Sequence, residues 1–143
     1  MSGIATRNEV CHWFGWLLVP VLATVNGIVR DATYGSVLDA TLAHSLAIMP
    51  LVISIAVWAL ILASLWPLEH PRSSARVGAA WLVLTVLAEL GLGVAQSVPV
   101  SRIAGQYDIL GGHLWILLPL AAAVAPALAR RLLVPTAVER RAA

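Results

Sequence analysis

From His44 to Trp66 the chain runs without a single Asp, Glu, Lys or Arg, and Pro67 then ends the run. Such a stretch reads as a membrane span, because ~20 apolar residues at ~1.5 Å each cross a hydrocarbon core of ~30 Å. Three further runs qualify. They cover about 13–29, about 77–98 with Glu89 as the single charge, and about 113–129, closed by Arg130 and Arg131. The chain is 60% hydrophobic and 11% charged, with a mean hydropathy of +0.89, so no polar shell remains to cover four such runs in water. The expected fold is therefore all-α: an integral membrane four-helix bundle forming one domain over 1–143.

Arginine sets the expected orientation. The chain has no lysine, and four spans put Arg7, Arg72, Arg76, Arg130, Arg131, Arg140 and Arg141 on one side against Arg30 and Arg102 on the other. The positive-inside rule then places both termini in the cytoplasm, with the protein in the inner membrane. Arg7 ahead of an apolar run resembles a secretory signal. The run leads instead into Asn26, Gly27, Arg30 and Asp31 without an A-x-A cleavage site, so a retained helix is expected. Trp13, Trp16, Trp66, Trp81 and Trp115 fall near expected span ends, as interfacial anchors. Ser36-x-x-Asp39 has capping-box spacing and suggests a helix start near Ser36. Pairs such as Ala23/Gly27, Ala59/Ala63 and Gly91/Ala95, with the Ala121/Ala125/Ala129 set, offer small faces for close helix packing. Pro20, Pro50, Pro119 and Pro126 should kink their spans.

Glu89 is the most informative residue. It lies twelve positions past Val77, ~18 Å into the third span, where an isolated carboxylate must be protonated, paired or wet. Asn26 sits at similar depth in the first span, with Arg30 one turn further on. Thr85, Glu89, Gly93 and Gln96 make one stripe, and Ala23, Asn26, Gly27 and Arg30 make another. The two are expected to face each other, Glu89 accepting from Arg30 and Asn26. Asp31, His44, Tyr107, Asp108 and His113 add polarity at the same, extracytoplasmic end, and no comparable set is expected at the cytoplasmic end.

The residues Asn26-Gly27-Ile28-Val29-Arg30-Asp31, the stretch from Trp81 through Thr85 and Glu89 to Gly93, and Tyr107-Asp108 with Gly111-Gly112-His113-Leu114-Trp115 resemble a family of small bacterial four-span membrane proteins. Its members read NGxxRE, WLxLTxxFExxxG and YDxxxGxLW at these places. The chain departs at Asp31, which keeps the charge of the usual glutamate, and at Ala88, which removes the usual phenylalanine beside Glu89. The resemblance implies membership and picks out these residues; it implies no activity.

Function is constrained mainly by exclusion. One cysteine, Cys11, rules out an intrachain disulfide or CxxC chemistry, and no serine stands in a nucleophile motif, so no catalytic residue is assigned. His44 and His113 lack ligand-dense spacing, so no metal and no cofactor is predicted. Arginines clustered at membrane ends argue against nucleic acid and for contact with membrane lipids. The leading expectation is a polar, ionisable site that binds or transports a small solute or protons, in a homo-oligomer or larger membrane complex. The alternatives are an accessory subunit in which Arg30 and Glu89 form a structural ion pair, and an intramembrane redox or lipid-modifying enzyme.

Overall fold

The computed structural model of the chain describes residues 2–105, 107, 108 and 114–133. His113, the Gly111-Gly112 pair, Arg140 and Arg141 lie outside the described residues. Within them every regular element is helical: α1 (Ser2–Gly15), α2 (Leu18–Thr33), α3 (Ala40–Leu65), α4 (Pro71–Ala95), α5 (Val100–Gly105) and α6 (Leu117–Leu133).

The expected span 13–29 is the middle of a longer rod broken at Trp16 and Leu17, and Pro20 accounts for the break. Proline has no N–H and its ring crowds the carbonyl four residues earlier, here that of Trp16. That carbonyl takes the Val19 N–H instead, at 2.8 Å, which in turn frees the Gly15 carbonyl. The Trp58 indole of α3 fills the gap by donating to Gly15 O at 2.8 Å. A local defect in one helix thus becomes a fastening between two.

Helix α3 begins later than Ser36. Asp39 is its N-cap, accepting from Thr41 N at 2.9 Å and Leu42 N at 3.4 Å, so the acidic half of the expected capping box does the capping itself. Proline also opens α4, at Pro71, six residues before the expected start. Its far end is a Schellman motif: Ser97 N donates to Val94 O and Val98 N to Gly93 O, with Ser97 in the left-handed region at φ 58°. Pro99 then starts α5, a short helix that the apolar pattern does not announce.

Among the described residues three helices are long and apolar enough to cross a membrane: Arg7–Thr33 through the α1–α2 joint, Ala40–Leu65 and Pro71–Ala95. Helix α3 makes the case most directly. One side buries Leu51, Ile55, Ala59 and Leu62, and the opposite side exposes Leu46, Met49, Ile53, Val57, Ile61 and Leu65. A helix apolar all round has lipid or protein on every side. The core joins α3, α4 and α6 through Leu51, Ile55, Val77, Trp81, Leu118 and Ala122, while α1 leans on α4 and α2 on α3.

Two expectations about packing are corrected. Gly27 and Gly91 have open space where a Cβ would stand, so those spacings are not packed faces here; the close approach is at Gly78, where a Cβ would strike the Ala123 carbonyl. Trp81 is fully buried and Trp16 half-buried, each with its indole N–H bonded inside the protein. Tryptophan near an expected span end reads as an anchor only while the helix is thought to end there, and α4 runs ten residues before Trp81.

Candidate functional site

Glu89 stands six residues before the end of α4, on the ridge that also carries Trp81 and Thr85. Gly93, one turn on, lacks a side chain where Ile103 of α5 packs. Ile103 is buried there, so α5 folds back across the end of α4. Past α5 the chain delivers Tyr107, whose hydroxyl donates to Glu89 Oε2. The Glu89-x-x-x-Gly93 spacing is explained in this way: the glycine admits the element that positions the glutamate's partner.

The other carboxylate oxygen, Oε1, is buried and makes no well-formed hydrogen bond, although the Trp115 indole N–H approaches the carboxylate. It borders a cleft of about 200 Å³ between α2, α4 and the start of α6, lined by Trp16, Val19, Pro20, Ala23, Thr24, Thr85, Ala88, Glu89, Leu92, Trp115 and Leu118. Trp16, at the α1–α2 break, donates from Nε1 to Thr85 Oγ1 at 3.0 Å and closes one end of the cleft. Ala88, with its short side chain, leaves space in the cleft beside Glu89. Burial, and after it the neighbouring Glu89, pushes the Tyr107 phenol well above the usual tyrosine range. Tyr107 therefore stays protonated and remains the donor.

Asn26, Arg30 and Asp31 do not join Glu89. Asn26 Nδ2 donates to Ala47 O of α3 at 2.8 Å. Arg30 Nε donates to Asp31 Oδ1 at 2.8 Å, and its terminal nitrogen to His44 Nδ1 at 3.0 Å. Guanidinium has no acceptor, so His44 Nδ1 accepts, and the ring's proton belongs on Nε2. Among the described residues the ion pairs are Arg30 with Asp31 and Arg76 with Glu9; the expected Arg30–Glu89 pair is absent. The reason lies in α3. Ala43 and Ala47 are small enough for α2 to settle against them, and that contact turns the polar stripe of α2 toward α3 and away from α4.

Trp115 joins the two groups. Its ring lies 4.7 Å from that of His44, tilted by 36°, and it borders the same cleft as Glu89. Gln96 is exposed at the end of α4, and Asp108 is exposed beyond Tyr107. Neither faces the cleft.

A second polar seam lies at the opposite end of the bundle, where none was expected. Arg76 reaches Glu9 Oε1 at 2.6 Å, Asn8 donates to Pro67 O at 3.0 Å, and His12 donates from Nε2 to Trp66 O at 3.0 Å. Trp81 completes it by donating to His12 O at 2.9 Å. The signal was the helical spacing of Asn8, Glu9, His12 and Trp16, which a helix starting at residue 13 cuts in two.

No family model, curated protein or solved structure matches the chain.

Proposed function

We propose that this is a four-span protein of the inner membrane, with both termini cytoplasmic, that binds a small solute in the cleft between α2 and α4. Glu89 is the ionisable group of the site, and Tyr107 holds it in place. Helix α6 is the fourth span, short at ~25 Å for its 17 residues but ended by Arg130 and Arg131 as a span should be. Membership in the bacterial four-span family is part of the same reading and rests on the motif residues. Lipid surrounds the bundle, and the open faces at Gly27 and Gly91 leave room for a second copy or a larger membrane complex.

The observation that carries the binding reading is the buried Glu89 Oε1, which lacks a well-formed hydrogen bond at the edge of the cleft, with the Trp115 indole approaching the carboxylate. Buried polar atoms are nearly always satisfied, and one that faces a space of this size is suited to a ligand or ordered water. The accessory-subunit alternative rested on Arg30 fastening Glu89, a contact replaced by Arg30's bonds to Asp31 and His44. Native mass spectrometry of the membrane-extracted protein tests the proposal. A small adduct is expected on the wild type and is expected to vanish in Ala88→Phe, which fills the cleft. Wild type and variant both bare, or both equally loaded, would count against a ligand in this place.

A further inference from the structure

Resting on that reading, we infer that the ligand is a protonated amine on a flat apolar body, seated with its ammonium on Glu89 and its ring between the Trp16 and Trp115 indoles. Three features of the cleft converge on this chemistry.

The first is charge. Among the described residues Glu89 is the one ionisable side chain lining the cleft, and none of those lining residues is basic. Arg30, the expected counter-ion, is held by Asp31 and His44, and Arg102 of α5 is exposed. Among the described residues such a carboxylate has no protein cation, and a ligand cation supplies one. An anion would meet it with like charge and no compensating donor.

The second is hydrogen bonding. Oε2 is taken by Tyr107, while Oε1 makes no well-formed bond, the Trp115 indole only approaching the carboxylate, and can still accept. An ammonium N–H satisfies it and brings the opposite charge in the same group, whereas a neutral hydroxyl brings a donor without the charge and a quaternary ammonium the charge without a donor.

The third is the shape and nature of the walls. Apart from Glu89, Thr24, Thr85 and the indole nitrogens, the lining is hydrocarbon and aromatic, and indole faces are the preferred partners of organic cations. A volume of about 200 Å³ exceeds the roughly 150 Å³ of an engineered apolar cavity that admits benzene. It accommodates one ring and a short chain. Ala88, with its short side chain, makes part of that room.

The experiment uses the full chain in lipid nanodiscs and three fluorinated probes of nearly equal size: 4-fluorobenzylamine, 4-fluorobenzyl alcohol and 4-fluorobenzoate. Binding is read by ¹⁹F line broadening, with empty nanodiscs correcting for partition into lipid. The wild type is expected to bind the amine at least tenfold more tightly than the alcohol and the benzoate not measurably. Glu89→Gln, which keeps an acceptor for Tyr107, should bring amine and alcohol together, and Ala88→Phe should lose both. Equal binding of amine and alcohol by the wild type overturns the amine assignment while leaving the cleft a ligand site. Broadening indifferent to Ala88→Phe overturns both readings. Should Glu89→Gln fail to fold, the amine-to-alcohol ratio in the wild type decides alone.

Discussion

Ser97 holds a left-handed conformation that costs an ordinary residue about 1–2 kcal/mol, because the Schellman turn closing α4 requires it. Glycine removes that cost but adds about 0.4–1 kcal/mol of unfolded-chain entropy, so Ser97→Gly should stabilise the protein by up to about 1.6 kcal/mol. A higher thermal midpoint in detergent is the expected reading; a lower one would mean that the serine hydroxyl has a role of its own. Tyr107 offers a test by titration. Burial and Glu89 both favour its neutral form, so in a Tyr34→Phe background, with Tyr107 the remaining tyrosine, phenolate absorbance should appear only above the ordinary tyrosine range. The sign for stability follows: the contribution is present below pH ~10 and lost as pH rises through the folded value, so strong alkali should unfold the protein. Adding Glu89→Gln should bring the titration part of the way down, leaving the effect of burial. Glu89 itself was legible in the sequence as a charge too deep to be solvated. Its partner was not, because Tyr107 reaches it by way of α5, six residues with no apolar period to announce them.

At the scale of elements, helix–helix contact separates glycines that look alike in the sequence. Gly78→Ala places a methyl group against the Ala123 backbone, where neither helix can yield without moving the α4–α6 core, and should cost about 1–3 kcal/mol. Gly91→Ala meets open space in the same helix and should be neutral or gain about 0.5–1 kcal/mol from helix propensity. Denaturation of the two variants in one detergent compares them directly, and the reverse order would mean that α4 packs through its other side. Spacing of small residues picked out Gly91 and passed over Gly78, because i, i+4 recurrence marks a face without saying what lies opposite. The same limit explains the polar stripes. Periodicity placed Asn26 and Arg30 on one face of α2 and Glu89 on one face of α4, correctly as faces. Which neighbour each stripe meets depends on the small residues Ala43 and Ala47 of α3, a tertiary fact that no single helix contains. Pro20 shows the opposite case: the sequence gives cause to expect a kink, and the freed Gly15 carbonyl shows what a kink can be used for.

For the molecule as a whole, α4 and α6 run antiparallel, with Gly78 beside Ala123 at one level and Glu89 near Trp115 at another. The α3–α4 turn, the start of α1 and the end of α6 therefore share one end, and that end collects Arg7, Arg72, Arg76, Arg130 and Arg131. Arg30 and Arg102 lie at the other, with the cleft nearer to them. Hydropathy made the three long apolar helices legible, and the gathering of Arg7, Arg72, Arg76, Arg130 and Arg131 at one end agrees with the arginine count that set the expected orientation. What counting missed is that Arg76 is also a structural residue, held by Glu9 in the seam that docks α1. Orientation and assembly can therefore be separated by experiment. Reporter fusions should read cytoplasmic at residue 72 and extracytoplasmic at residue 104. Arg72→Gln, whose side chain is exposed, should weaken the orientation signal without loosening the fold, whereas Arg76→Gln leaves a nearly buried Glu9 without its partner and should lower the thermal midpoint as well. Matching fusion readings at 72 and 104 would overturn the crossing of α4 between them. Equal midpoints for the two arginine variants would mean instead that the seam at the α1 end contributes nothing to holding the bundle together.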